Sequence, residues 1–115
     1  MECDKYKQVK EAMMQLQEAA IQEKSNPVIP GESLAFRSAL KRLHSLGENA
    51  DSFSKAALGE IGRTVALIET MNLPLDPAST AGKAHKAQLK ENLPLWLGER
   101  RGAFDVISET DCGIS

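Results

Sequence analysis

Four stretches of the chain carry apolar residues at the spacing of a helix face. Over residues 4–24, Tyr6, Val9, Met13, Leu16 and Ala20 recur at intervals of three and four, while Lys7, Lys10, Glu11, Gln15 and Glu18 fall on the other sides. This predicts an amphipathic helix. Asp4 is placed to cap it, because its short carboxylate reaches amides left free in the first turn. The stripe keeps a 3.5-residue period for only about two and a half heptads, too few for a coiled coil. It fits one face of a bundle helix, with a dimer seam as the alternative. The run Ser25-Asn26-Pro27-Val28-Ile29-Pro30-Gly31 must end the helix, since two prolines fix φ and remove amide donors. Val28 and Ile29 are expected to tuck inward.

A second helix is predicted over 32–46, with Leu34, Phe36, Leu40, Leu43 and Leu46 on its apolar side. Gly47 is placed as the left-handed residue that closes it. The third helix, from Asp51 or Ser52 to about Met71, has the strongest stripe: Phe53, Ala57, Leu58, Ile61, Val65 and Ile68. Beside it runs a column of small residues, Ala56, Gly59, Gly62 and Ala66. A glycine inside a helix costs about 1 kcal/mol relative to alanine. A helix packed against the bare backbone would offset that, from this chain or from another.

Asn72-Leu73-Pro74-Leu75-Asp76-Pro77 makes a second break, with Asp76 as N-cap and Pro77 at the first helical position. The fourth helix is predicted over 77–92 on a thin face of Ala81, Ala84, Leu89 and Leu93. Pro94 should end it or restart it for one turn through Leu95-Trp96-Leu97, with Trp96 as an anchor. From Gly98 the expectation is loop, with Phe104, Val106 and Ile107 as local packing. The reading is an all-α, small antiparallel bundle of about four helices over residues 1–98, with a C-terminal tail over 99–115, packed on the bundle or flexible.

Composition adds limits. The 115 residues are enough for one domain with a continuous core. Aromatics are only 4%, so the core must be mostly aliphatic. A net charge of −2 gives no whole-chain attraction to nucleic acid or anionic lipid. Cys3 and Cys112 stand near opposite ends and make no disulfide framework. They are expected to be free thiols, though they could join if the termini meet. No apolar leader or membrane-length run is visible, so the expected address is cytoplasmic, with no membrane partner.

Candidate chemistry is sparse. The histidines are His44 and His85, both expected on solvated faces, and no HxxxH, HExxH or CxxC spacing occurs. No nucleophile elbow is present, and Ser79-Thr80-Ala81-Gly82-Lys83 lacks the glycine run of a phosphate loop. No enzyme, metal or cofactor is expected. The expected function is a small helical protein-interaction module of the adaptor, chaperone, antitoxin, immunity or mobile-element kind, an argument from fold class. Its partner is another protein or a second copy of the chain. Candidate interface residues are Tyr6, Val9 and Met13 on the first helix and Ala56, Gly59 and Gly62 on the third. The alternative is a nucleic-acid-binding regulator. Its basic face would join Lys83, Lys86, Lys90, Arg100 and Arg101 to Arg37 and Lys41, where convergent cations release counterions from phosphate. The second and third helices do not suit helix-turn-helix recognition, because the third carries few cations.

Overall fold

The computed structural model describes residues 3–26, 29–71 and 78–113. Among them are four α-helices: α1 (Cys3–Lys24), α2 (Leu34–Gly47), α3 (Lys55–Met71) and α4 (Thr80–Cys112), with a 3₁₀ turn at Ala50–Ser52 and no strand. The all-α bundle read from the pattern is the observed architecture. Packing joins α1 to α2, α2 to α3, α3 to α4 and α4 back to α1. The helices therefore stand at the corners of a square, with α2 and α4 on one diagonal. Cross-links show that neighbours run antiparallel: Tyr6 meets Asp111, Gln17 meets Pro94 and Lys24 meets Glu91 along α1 and α4.

The α1 stripe is the centre of the core. Tyr6, Val9, Met13 and Leu16 are buried, beside Phe36, Leu43, Ile61, Leu93, Leu97 and Phe104. Tyr6 packs against the rings of Phe53 and Phe104, with centroids 5.2 and 5.8 Å apart. At the far end of α1 the carboxylate of Glu23, itself buried, accepts the amide N–H groups of Gly31 at 2.7 Å and Ser33 at 3.0 Å. Gly31 has φ +84°, which glycine enters without a Cβ penalty, so the chain can turn back over Glu23. Ser33 then caps α2 by accepting the Phe36 N–H. Ile29 and Leu34 are exposed, against the expectation that both turn inward; Val28 lies outside the described residues.

Three boundaries differ from the sequence reading. Gly47 does not close α2 in a left-handed conformation. It is helical, and a Cβ there would meet Ile61 Cγ2 at 2.9 Å, so its size lets α2 approach α3. The start of α3 is set by Ser54, whose Oγ accepts the Ala57 N–H at 3.1 Å, after the 3₁₀ turn has used Asp51 and Ser52. Ser79 caps α4 by accepting the Gly82 N–H; the proposed cap Asp76-Pro77 lies outside the described residues.

The largest correction is α4. It passes through Pro94 and Gly98 and ends only at Cys112, so residues 99–112 are helix and not loop or tail. Pro94 removes one helix hydrogen bond, to the carbonyl of Lys90. Packing on both sides of the proline holds the helix together: Leu93, Pro94 and Leu97 are buried, and Gln17 Nε2 donates to the Pro94 carbonyl at 3.4 Å. Trp96 is half-buried against the same core, within the helix.

The cysteines are corrected as well. Cys3 at the start of α1 and Cys112 at the end of α4 form a disulfide, with Cα atoms 5.7 Å apart. The square arrangement brings the first and last described turns together, which the linear separation hides. The free-thiol expectation falls with it. Among the described residues no helix is long and apolar enough to cross a membrane.

Candidate protein-docking groove

The residues proposed from sequence as an interface separate into two groups. Tyr6, Val9 and Met13 are 0–1% exposed, so the α1 stripe is core and presents nothing to a partner. Its period matched a dimer seam because a bundle helix needs the same spacing. Ala56 and Gly62 are exposed and Gly59 is half-buried. Apart from the glycine, its chain neighbours and the adjoining backbone of its own helix, no described atom lies within 4 Å of where a Gly62 Cβ would stand. Among the described residues no helix packs against the bare backbone at Gly62.

The reason lies in the phase of α3. Its buried residues are Ala57, Glu60, Ile61, Thr64, Ile68 and Met71. This face is rotated from the predicted stripe, and Leu58 and Val65 are left half-buried at the margin of the core. Two polar residues enter the buried face because their needs are met locally. Glu60 is bound by Arg63 at 2.8 Å and by Arg100 at 3.2 Å, and the Thr64 hydroxyl donates to the Glu60 carbonyl at 2.9 Å.

Between α2 and α3 this phase leaves an open groove. One part, of 390 Å³, is lined by Arg37, Leu40, Lys41, His44, Val65 and Glu69 among others. The next, of 340 Å³, shares His44, Val65 and Glu69 and continues along Gly47, Glu48, Leu58 and Gly62 to Ala66. The two form one channel with an apolar and small-residue floor. Charges stand at its ends. Arg37 and Lys41 lie beside Glu69, the C-terminal end of α3, while Glu48 and then Lys55 lie at its N-terminal end. Glu48 is 3.3 Å from His44 Nδ1. Arg37, Lys41, Lys55 and Glu69 make no ion pair among the described residues. A larger cleft between α1 and α2, of 470 Å³, is lined by alanines together with polar side chains including Gln15, Glu18, Gln22 and Arg42. Arg42 closes its rim on Glu11 at 2.9 Å.

The basic set proposed for nucleic acid does not converge. Arg37 and Lys41 are on α2 and the other five on α4, across the diagonal of the square. Three of those five are engaged: Lys90 with the Asn26 carbonyl at 2.6 Å, Arg100 with Glu60, and Arg101 with Gln17 at 3.1 Å. Lys83 is exposed and Lys86 half-buried, and the two do not make a phosphate track by themselves. His85 is not simply solvated: Nε2 lies 2.6 Å from the Met71 carbonyl, tying α4 to the last turn of α3.

A polar cluster that sequence reasoning missed sits beside the disulfide. Asp111 Oδ2 accepts the Tyr6 hydroxyl at 2.7 Å and the Ser54 hydroxyl at 2.6 Å, and the Ser54 N–H donates to Tyr6 Oη at 3.0 Å. The Ser54 and then the Tyr6 hydrogen bonds hold the Asp111 carboxyl below the usual carboxylate range. One side chain from each of α1 and α4 and the cap of α3 meet there, at |i−j| of 48 to 105. No spacing in the sequence signals this. Its place at the end of the bundle, under the disulfide, makes it a structural clamp. Among the described residues no group of three His, Cys, Asp or Glu is arranged to hold a metal ion. Comparison with protein-family models, with curated proteins and with solved structures finds no match to this chain.

Proposed function

We propose that the protein is a helical interaction module that binds protein by receiving a helix in the groove between α2 and α3. The observation that carries this reading is Gly62. It sits mid-helix, exposed, with open space where a side chain would be, on the floor of a channel whose other lining includes Leu40, Leu58 and Val65. A glycine there weakens α3 by about 1 kcal/mol, and close approach of a second helix backbone is what a missing Cβ permits. An amphipathic helix laid in a groove is a recurrent mode of recognition, read by anchors at three- and four-residue spacing.

The test is photocrosslinking in the native cell. A photoreactive amino acid at Ala66, in the groove, should capture protein on irradiation. The same group at Glu109, an exposed position on α4, is the control. A band specific to Ala66 supports the reading. No adduct from Ala66, or equal capture from both positions, overturns it.

A further inference from the structure

We infer that the helix this groove receives is α3 of a second copy of the chain, laid antiparallel across Gly62 in a two-fold dimer. The inference rests on the reading of the groove as a helix-binding surface and adds the identity of its occupant.

The charge pattern carries it. Lys55 and Glu69 lie seven residues before and seven after Gly62. Fourteen residues are close to four helical turns, so both point to the same side, about 21 Å apart. Both are exposed, and neither has an ion-pair partner among the described residues. In a two-fold interface residue i contacts j while j contacts i. With Gly62 at the axis, Lys55 of each copy stands opposite Glu69 of the other, and Leu58 stands opposite Ala66. Large then meets small on both sides of the crossing, and the bare glycine backbones meet at its centre.

α2 repeats the pattern. Arg37 and Lys41 border the Glu69 end of the groove and Glu48 borders the other end. An antiparallel copy places its Arg37 and Lys41 toward Glu48 and keeps the two cationic pairs at opposite ends of the interface. A parallel copy would set Lys55 against Lys55 and Arg37 against Arg37. Opposite charges along both helices thus select one orientation, the use to which interface charge is best suited. Each end of the groove carries both signs, Arg37 and Lys41 with Glu69 and Glu48 with Lys55, so a partner helix of a single sign meets a like charge at both ends.

Analytical ultracentrifugation across ~1–100 μM, a range that populates dimers of micromolar affinity, tests this directly. The wild-type chain should be dimeric at the upper end. Lys55→Glu and Glu69→Lys should each weaken association on the order of tenfold, since each reversal acts twice in a symmetric pair. The double reversal should restore it. Gly62→Leu should be monomeric throughout while keeping its helical circular dichroism, because its Cβ enters open space in the isolated chain. A wild-type monomer at every concentration overturns the inference. So does a dimer indifferent to Gly62→Leu, or single reversals that the double variant does not rescue. A monomer whose Ala66 photoprobe captures a different protein refutes the second copy while leaving the groove as a docking site.

Discussion

Reducing the disulfide should lower stability more than any single core truncation, and the size of the effect can be worked from topology. Cys3 and Cys112 are 109 residues apart, so the bond closes nearly the whole chain into one loop. On the chain-entropy account a loop of that length restricts the unfolded ensemble by about 5 kcal/mol at 25 °C. The folded state changes little, since the Tyr6–Asp111 hydrogen bond joins α1 to α4 without the sulfurs and Ser54 adds the start of α3. Unfolding entropy near 60 °C is about 2.1 cal/mol/K per residue, or roughly 0.24 kcal/mol/K for this chain, so Tm should fall by about 20 °C. Calorimetry with and without reductant measures it, with the Cys3→Ser, Cys112→Ser double variant as the form that reductant cannot alter. The urea m-value should rise on reduction, because an unlinked denatured chain exposes more surface. Helical circular dichroism at 25 °C should persist. A fall in Tm below about 5 °C, or no change in m, would refute the reasoning.

Ile61→Ala empties a buried site on α3 and should lower the denaturant-derived unfolding free energy by about 2–4 kcal/mol. Two glycines should respond in opposite directions: Gly62→Ala should raise thermal stability of the dissociated chain by up to about 1 kcal/mol, whereas Gly47→Ala should lower it, because its Cβ meets Ile61 Cγ2 at 2.9 Å. Tyr6→Phe should destabilise by about 1–3 kcal/mol, as the Ser54 N–H loses its acceptor and Asp111 a donor. Asp111 is held lower in the folded state than in the unfolded chain, so its contribution is complete above the unfolded carboxyl value, near pH 4, and disappears as pH falls through the lower folded value. In acid titrations followed by circular dichroism, Asp111→Asn should therefore remove part of the loss of stability seen below about pH 4.

What the sequence disclosed depended on whether the responsible signal was local. The α1 stripe was legible because every residue of it faces one continuous core, and a 3.5-residue period is all that such burial requires. It could not say whose core: the period is the same for a bundle and for a dimer. The full length of α4 is not legible, because Pro94 and Gly98 are breakers by local propensity, and only packing on α1 around Gln17 and Pro94 overrides them. The apolar pattern of α3 points a fraction of a turn away from its true buried face, since Glu60 looks like a surface residue until Arg100, 40 positions later, is placed beside it. The same offset conceals the half-exposure of Leu58 and Val65 beside the groove, although the small-residue column itself is visible in the sequence. The disulfide and the Asp111 cluster join positions almost a full chain apart, and no neighbouring residue announces them.

The most extensive packing in the bundle joins its first helix to its last. During synthesis α1 therefore emerges long before α4, the wall that covers half of it, and at roughly 5–20 residues per second several seconds separate the two. Until Leu93, Leu97 and Phe104 clear the ribosome, Val9, Met13 and Leu16 have only α2 to lean on. The bundle thus closes only once α4 has emerged, and until then the nascent chain carries an adhesive flank uncovered.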